Sequence, residues 1–74
     1  MDKKAAVFRK KLGKRIREVR KEQNITQAQL AFESGVARRV IVHIEKGIQN
    51  VTVDTLVALA DALEVKPQVF FDFE

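Results

Sequence analysis

Arg38 and Arg39 stand side by side, with His43 and Lys46 following and Gln27 upstream. Each guanidinium is a planar fork of donors that matches paired acceptors, whether phosphate oxygens or the O6 and N7 edge of guanine. This is chemistry for gripping an anion or reading a base edge rather than for making and breaking bonds. His43 is the single imidazole, cysteine is absent, and no glycine-rich loop ending in Lys-Ser/Thr follows a strand. The inventory therefore lacks a cysteine nucleophile and a phosphate cradle. Four soft or imidazole ligands for a zinc site cannot be assembled either. No catalytic residue, metal, cofactor or small-molecule substrate is expected, and the chain does not read as an enzyme.

Charge points the same way. Residues 1–50 hold 13 Lys/Arg against five Asp/Glu, while residues 51–74 hold one against five, so a net charge of +4 hides a strongly basic end and an acidic one. The basic end attracts a polyanion, and the acidic end must face away from it. At 74 residues, with 46% hydrophobic and 32% charged, the chain has room for one domain with one core. Without disulfides that core must rest on helix packing, helped by oligomerisation. No apolar run approaches the roughly 20 residues needed to span a bilayer. Met1-Asp2-Lys3-Lys4 runs into charge rather than an apolar leader, so a cytoplasmic location is expected.

The elements that must position these residues follow from apolar spacing. From Lys4 to Gln23, Phe8, Leu12, Ile16 and Val19 fall on one face of a helix whose other face is mostly Lys and Arg. Asn24 tolerates the left-handed conformation that ends a helix. Thr26-Gln27-Ala28-Gln29 then fits a capping box opening a short second helix with Leu30 and Ala31 inward, closed at Gly35. A third helix follows, with Ala37, Ile41, Ile44 and Ile48 inward and Arg38, Arg39, Val42, His43 and Lys46 outward. Gly47 to Asn50 reads as a loop. Thr52 caps a fourth helix carrying Val53, Leu56, Leu59, Ala60 and Leu63, and Pro67 opens a fifth helical turn through Phe71. Five helices and no strands are predicted.

Two short helices joined by a tight glycine turn, the second basic and outward-facing, are what helix-turn-helix DNA binding requires. The stretches Leu12-Gly13-Lys14-Arg15-Ile16-Arg17, Ile25-Thr26-Gln27-Ala28-Gln29-Leu30-Ala31, Ser34-Gly35-Val36 and Ile44-Glu45-Lys46-Gly47 resemble the phage-repressor family (Cro/cI, or XRE). The likeness extends through Asn50-Val51-Thr52 and Leu56 to Phe70. Within that family, Asn50-Val51-Thr52-Val53, Ala62-Leu63-Glu64-Val65 and Phe70-Phe71 look most like restriction-modification controller proteins. The resemblance implies an all-α, compact five-helix lambda-repressor-like domain over 1–74, with the helix-turn-helix at about 26–46 and a dimerisation region at about 50–74. It also implies a homodimeric regulator of transcription, repressor or activator, reading a palindromic site in double-stranded DNA.

Position by position, the resemblance places Gln27 against a phosphate or a base edge and sends Arg38, Arg39 and His43 into the groove. For His43 a polar filler role stands beside base or phosphate contact. Ala37, Val40 and Val42 depart from the family pattern, which favours hydroxyl or polar residues there. Val42 either packs on a thymine methyl or meets protein. On the first helix, Lys10, Lys11, Lys14, Arg15 and Arg17 form a charge run, part solvated and part tracking phosphates; Lys14, Arg15, Arg17 and Lys46 are the phosphate candidates. The family pairs the positions of Arg20 and Glu45 as a structural ion pair. Gly13 is read as a point of close helix approach, and Phe32 either completes the core or touches a partner.

Three of the five phenylalanines, Phe70, Phe71 and Phe73, crowd the last five residues, more aromatic area than a chain end hides, and are assigned to a dimer interface. A different use of the family's domain, as an antitoxin or coactivator acting through protein contacts, is kept open by the missing hydroxyls and opposed by Arg38 and Arg39. The basic amphipathic first helix would suit an anionic membrane only if its apolar stripe were exposed, and the other helices offer faces to cover it.

Overall fold

The computed structural model describes residues 3–74; Met1 and Asp2, at the head of the charged N-terminal run, lie outside the described residues. Four α-helices follow one another: α1 (Lys3–Glu22), α2 (Gln27–Ser34), α3 (Arg38–Lys46) and α4 (Val53–Ala62). The predicted fifth helix is instead a 3₁₀ turn, Pro67–Phe71. Proline opens it, and its five residues are too few to develop an α-helical ladder.

Local chemistry sets the boundaries. Asn24 takes φ 58° where α1 ends. Thr26 and Gln29 form a complete capping box: the Gln29 N–H donates to Thr26 Oγ1 at 3.0 Å and the Thr26 N–H donates to Gln29 Oε1 at 2.8 Å. Gly35 closes α2. Ala37 precedes α3 without any side-chain cap. At α4, the Thr52 hydroxyl accepts from the Thr55 N–H, and Asp54 sits in the first turn, where the helix dipole favours an anion.

The core is shared by every element: Leu12, Ile16 and Val19 from α1, Leu30 from α2, Ile41 and Ile44 from α3, Leu59 and Ala60 from α4, then Leu63 and Phe70. Fully burying each larger side chain is worth about 1.5–3 kcal/mol. α1 packs on α3 and on the 3₁₀ turn, α2 on α3 and α4, and α4 on the 3₁₀ turn. The 20 residues of α1, about 30 Å of helix, account for the long axis of a 33 × 22 × 19 Å body.

Two glycines let α1 lie against α3 almost backbone to backbone. A Cβ on Gly13 would fall on the Ile44 carbonyl oxygen. Reciprocally, a Cβ on Gly47, which ends α3 at φ 78°, would sit 2.7 Å from Lys10 Cα. The close approach is what sets the third helix at the molecular surface with its other face free.

Several expected core positions are not core, Phe8 of α1 and Val53 of α4 among them. Ile48 lies beyond α3 and is exposed, as is Ala37, while Phe32 is 89% exposed on the outer side of α2. Leu30, two residues from Phe32 and therefore about 200° round the helix, takes the inward position. No helix among the described residues is long and apolar enough to cross a membrane.

Candidate nucleic-acid interface

With Ile41 and Ile44 buried, the 100° step of the helix turns Arg38, Val42, Lys46, Arg39 and His43 over an arc of about 140° on the opposite side of α3. Arg38, Arg39 and Lys46 are exposed, whereas Val42 and His43 are partly covered. Neither arginine has an intramolecular hydrogen-bond or salt-bridge partner among the described residues, so both forks are available to a ligand. Arg17 of α1 and Gln27 at the start of α2 join Val42, Glu45 and Lys46 around one shallow depression. Three helices thus contribute to a continuous surface centred on α3.

Beneath its edge lies a bidentate ion pair. Arg20 donates from Nε to Glu45 Oε2 at 2.7 Å and from Nη2 to Oε1 at 2.8 Å. Its Nη1 donates to the Ile25 carbonyl at 2.8 Å, tying in the loop between α1 and α2. Gln27 Nε2 also donates to Glu45 Oε1, at 3.1 Å. The side chains of Arg20 and Glu45 are only 9% and 4% exposed. Hydrogen bonding to Glu45 raises the Arg20 pKa above its ordinary value, with the opposing effect of burial outweighed. One carboxylate therefore fixes α1, the α1–α2 loop, the first residue of α2 and the end of α3. That Gln27 belongs to this cluster escaped the sequence reading, which treated it only as an outward contact; its place at the head of α2, beside the loop Arg20 holds, is the available signal.

The four phosphate candidates divide. Arg17 and Lys46 line the depression beside α3. Lys14 and Arg15 line a second hollow, shared with Asp72, Phe73 and Glu74. Arg15 is partly buried; its Nε donates to the Val69 carbonyl at 3.0 Å and its guanidinium lies 3.5 Å from Glu18. Arg15 thus ties α1 to the 3₁₀ turn, while Lys14 is exposed, and the acidic chain end lies beside both residues.

The aromatic trio divides as well. Phe70 is 0% exposed at the centre of the core, so its assignment to a dimer interface is corrected: in a 3₁₀ turn it faces α1 and α4. Phe71 is 43% exposed and Phe73 partly so. Both rings pack on Phe8 of α1, with centroids 5.9 and 5.2 Å apart respectively. Val7 beside Phe8, and Val53 and Val57 on α4, are exposed too. Among the described residues no cluster of His, Asp and Glu could hold a metal ion.

Comparison with known proteins agrees with this geometry. A helix-turn-helix family model matches residues 16–70. Control protein C.BamHI of Bacillus amyloliquefaciens is 37% identical over 62 residues, 82% of this chain and 76% of that protein. The crystal structure of the restriction-modification controller protein C.AhdI from Aeromonas hydrophila superposes with a TM-score of 0.84 at 36% identity, covering 85% of this chain and 96% of that one. The controller protein C.Esp1396I, solved as a tetramer in complex with its natural 35 base-pair operator, gives a TM-score of 0.80 at 34% identity over 88% of this chain and 86% of that one. Other matched regulators are longer, and the chain spans 43% of two of them.

Proposed function

Because the chain belongs to the helix-turn-helix family of phage-repressor type, with restriction-modification controller proteins among its relatives, we propose that it is a transcriptional regulator. It binds double-stranded DNA sequence-specifically, in the cytoplasm, as a homodimer on a palindromic operator, in the manner of a controller protein. The observation that carries the reading is the outward face of α3, where Arg38 and Arg39 project without a partner among the described residues from a helix whose opposite side is core. The major groove admits one helix, and each bidentate guanine contact discriminates by about 1–3 kcal/mol. Arg38, Arg39, His43, Gln27 and Val42 meet bases, while Arg17 and Lys46 neutralise phosphates on either side.

A two-fold dimer sets two such helices about 34 Å apart, one turn of duplex, and so reads an inverted repeat. Exposed apolar side chains support dimerisation through the C-terminal half: Val53 and Val57 of α4 and Phe71, with the partly exposed Phe73, joined by Phe8 from α1. The alternative, a domain working through protein contacts, has one observation in its favour, the exposure of Phe32.

Selecting duplexes from a random pool and titrating the winner with salt tests the reading. Arg38→Ala or Arg39→Ala should weaken the selected site by roughly 5- to 150-fold and relax its preference at one position per half-site. Lys46→Ala or Arg17→Ala should weaken all sequences alike and lower the salt slope by about one. A wild-type protein that enriches no sequence, or arginine variants that bind as wild type does, would refute it.

A further inference from the structure

The depression where α1, α2 and α3 meet is chemically uneven. Its acid, Glu45, is already engaged, with one oxygen accepting from Arg20 Nε and the other from both Arg20 Nη2 and Gln27 Nε2. A carboxylate can only accept, so Gln27 must turn its NH₂ group toward Glu45; this fixes the amide flip and leaves one N–H and the carbonyl oxygen for a ligand. Val42 is the one apolar side chain in the lining, and Arg17 and Lys46 make the rim electropositive.

Resting on the DNA-binding reading above, we propose that this depression receives the major-groove edge of a thymine, with Val42 as a specificity-determining residue and Glu45 as the residue that positions Gln27. Among the four unmodified bases only thymine carries a methyl group on that edge, and the neighbouring O4 is an acceptor. The methyl packs on Val42, and O4 meets the remaining Gln27 N–H and the positive rim. Cytosine offers no methyl. 5-Methylcytosine restores the methyl but presents its N4 amino donor to cations, and so ranks below thymine.

The test uses the full chain and a duplex it has itself selected from a random pool, resynthesised with deoxyuridine replacing one thymidine at a time. At one position in each half-site, removing the methyl should weaken wild-type binding about fourfold, the worth of transferring one such group from water. At that position alone, Val42→Ala should bind the thymidine and deoxyuridine duplexes equally. The wild-type series tests the thymine contact without any variant, and Val42→Ala tests which side chain makes it. No methyl dependence at any position, or a selected half-site without thymine, overturns the proposal while leaving sequence-specific binding intact. Methyl dependence that persists in a folded Val42→Ala protein overturns the role of Val42. A wild-type protein that selects no sequence sinks the parent reading instead.

Discussion

At Glu45 three donors converge on two oxygens, and the pair lies almost out of solvent. Glu45→Ala leaves the Arg20 guanidinium buried without a counter-charge, and breaking a buried pair from one side costs about 3–5 kcal/mol. In a domain of this size each kcal/mol moves the melting midpoint by about 4–8 °C, so calorimetry should find it lowered by at least about 12 °C. Melting at the wild-type temperature would show the pair to be energetically idle. The raised Arg20 pKa gives the pH sign: a base whose folded pKa exceeds its unfolded one contributes stability that is full below the unfolded value and lost as pH rises through the folded one. For a guanidinium that window lies beyond the ordinary alkaline range, so Arg20 should lose none of its contribution between neutrality and about pH 9. The pairing of Arg20 with Glu45 was legible through the family resemblance, which pairs these two positions. Arg15 was not, because its partner is the backbone carbonyl of Val69, 54 residues away, and a carbonyl has no signature in residue type.

Three of the four α-helices, α1, α3 and α4, follow from the spacing of Leu12, Ile16 and Val19, of Ile41 and Ile44, and of Leu56, Leu59 and Leu63. The capping box at Thr26 was equally plain from residue types. What spacing could not tell was which of Phe70, Phe71 and Phe73 points inward, since the direction of a side chain in or just after a short 3₁₀ turn depends on how that turn lands on α1 and α4. Of the two readings of Phe32, exposure removes the core one, since apolar character alone does not choose a face. The contact between α1 and α3 is the element most sensitive to small change. In Gly13→Ala the new methyl meets the Ile44 carbonyl, which is backbone and cannot rotate aside. Overpacking of well-filled interiors costs about 1–3 kcal/mol and sometimes more. Gly13→Ala should therefore lower the denaturant midpoint despite alanine's better helix propensity, which by itself would stabilise by about 1 kcal/mol. A midpoint raised by that amount would mean the two helices are free to separate.

Over the molecule as a whole, charge and apolar surface are sorted. The exposed cations Arg38, Arg39 and Lys46 of α3 lie on one side, while Lys14 and Arg15 lie beside Asp72 and Glu74. The aromatic cluster of Phe8, Phe71 and Phe73 gives the dimer reading a sharp contrast. Phe71→Ser should shift sedimentation toward monomer and weaken binding to a full palindrome more than to a half-site, whereas Phe70→Ala, in the core, should cost about 3–5 kcal/mol of stability. Equal effects of the two on assembly would assign the interface elsewhere. One consequence of the division within α3 remains. Ile41, Ile44 and Glu45 anchor the helix, and none of them is among the residues it turns outward, Arg38, Arg39, Val42 and His43. On the proposed reading, in which those outward side chains meet the bases, the exterior letters can be rewritten while the chassis stays put: duplicated copies in one cell would drift toward separate operators without losing the fold, and an engineer would exchange target preference by transplanting a handful of side chains.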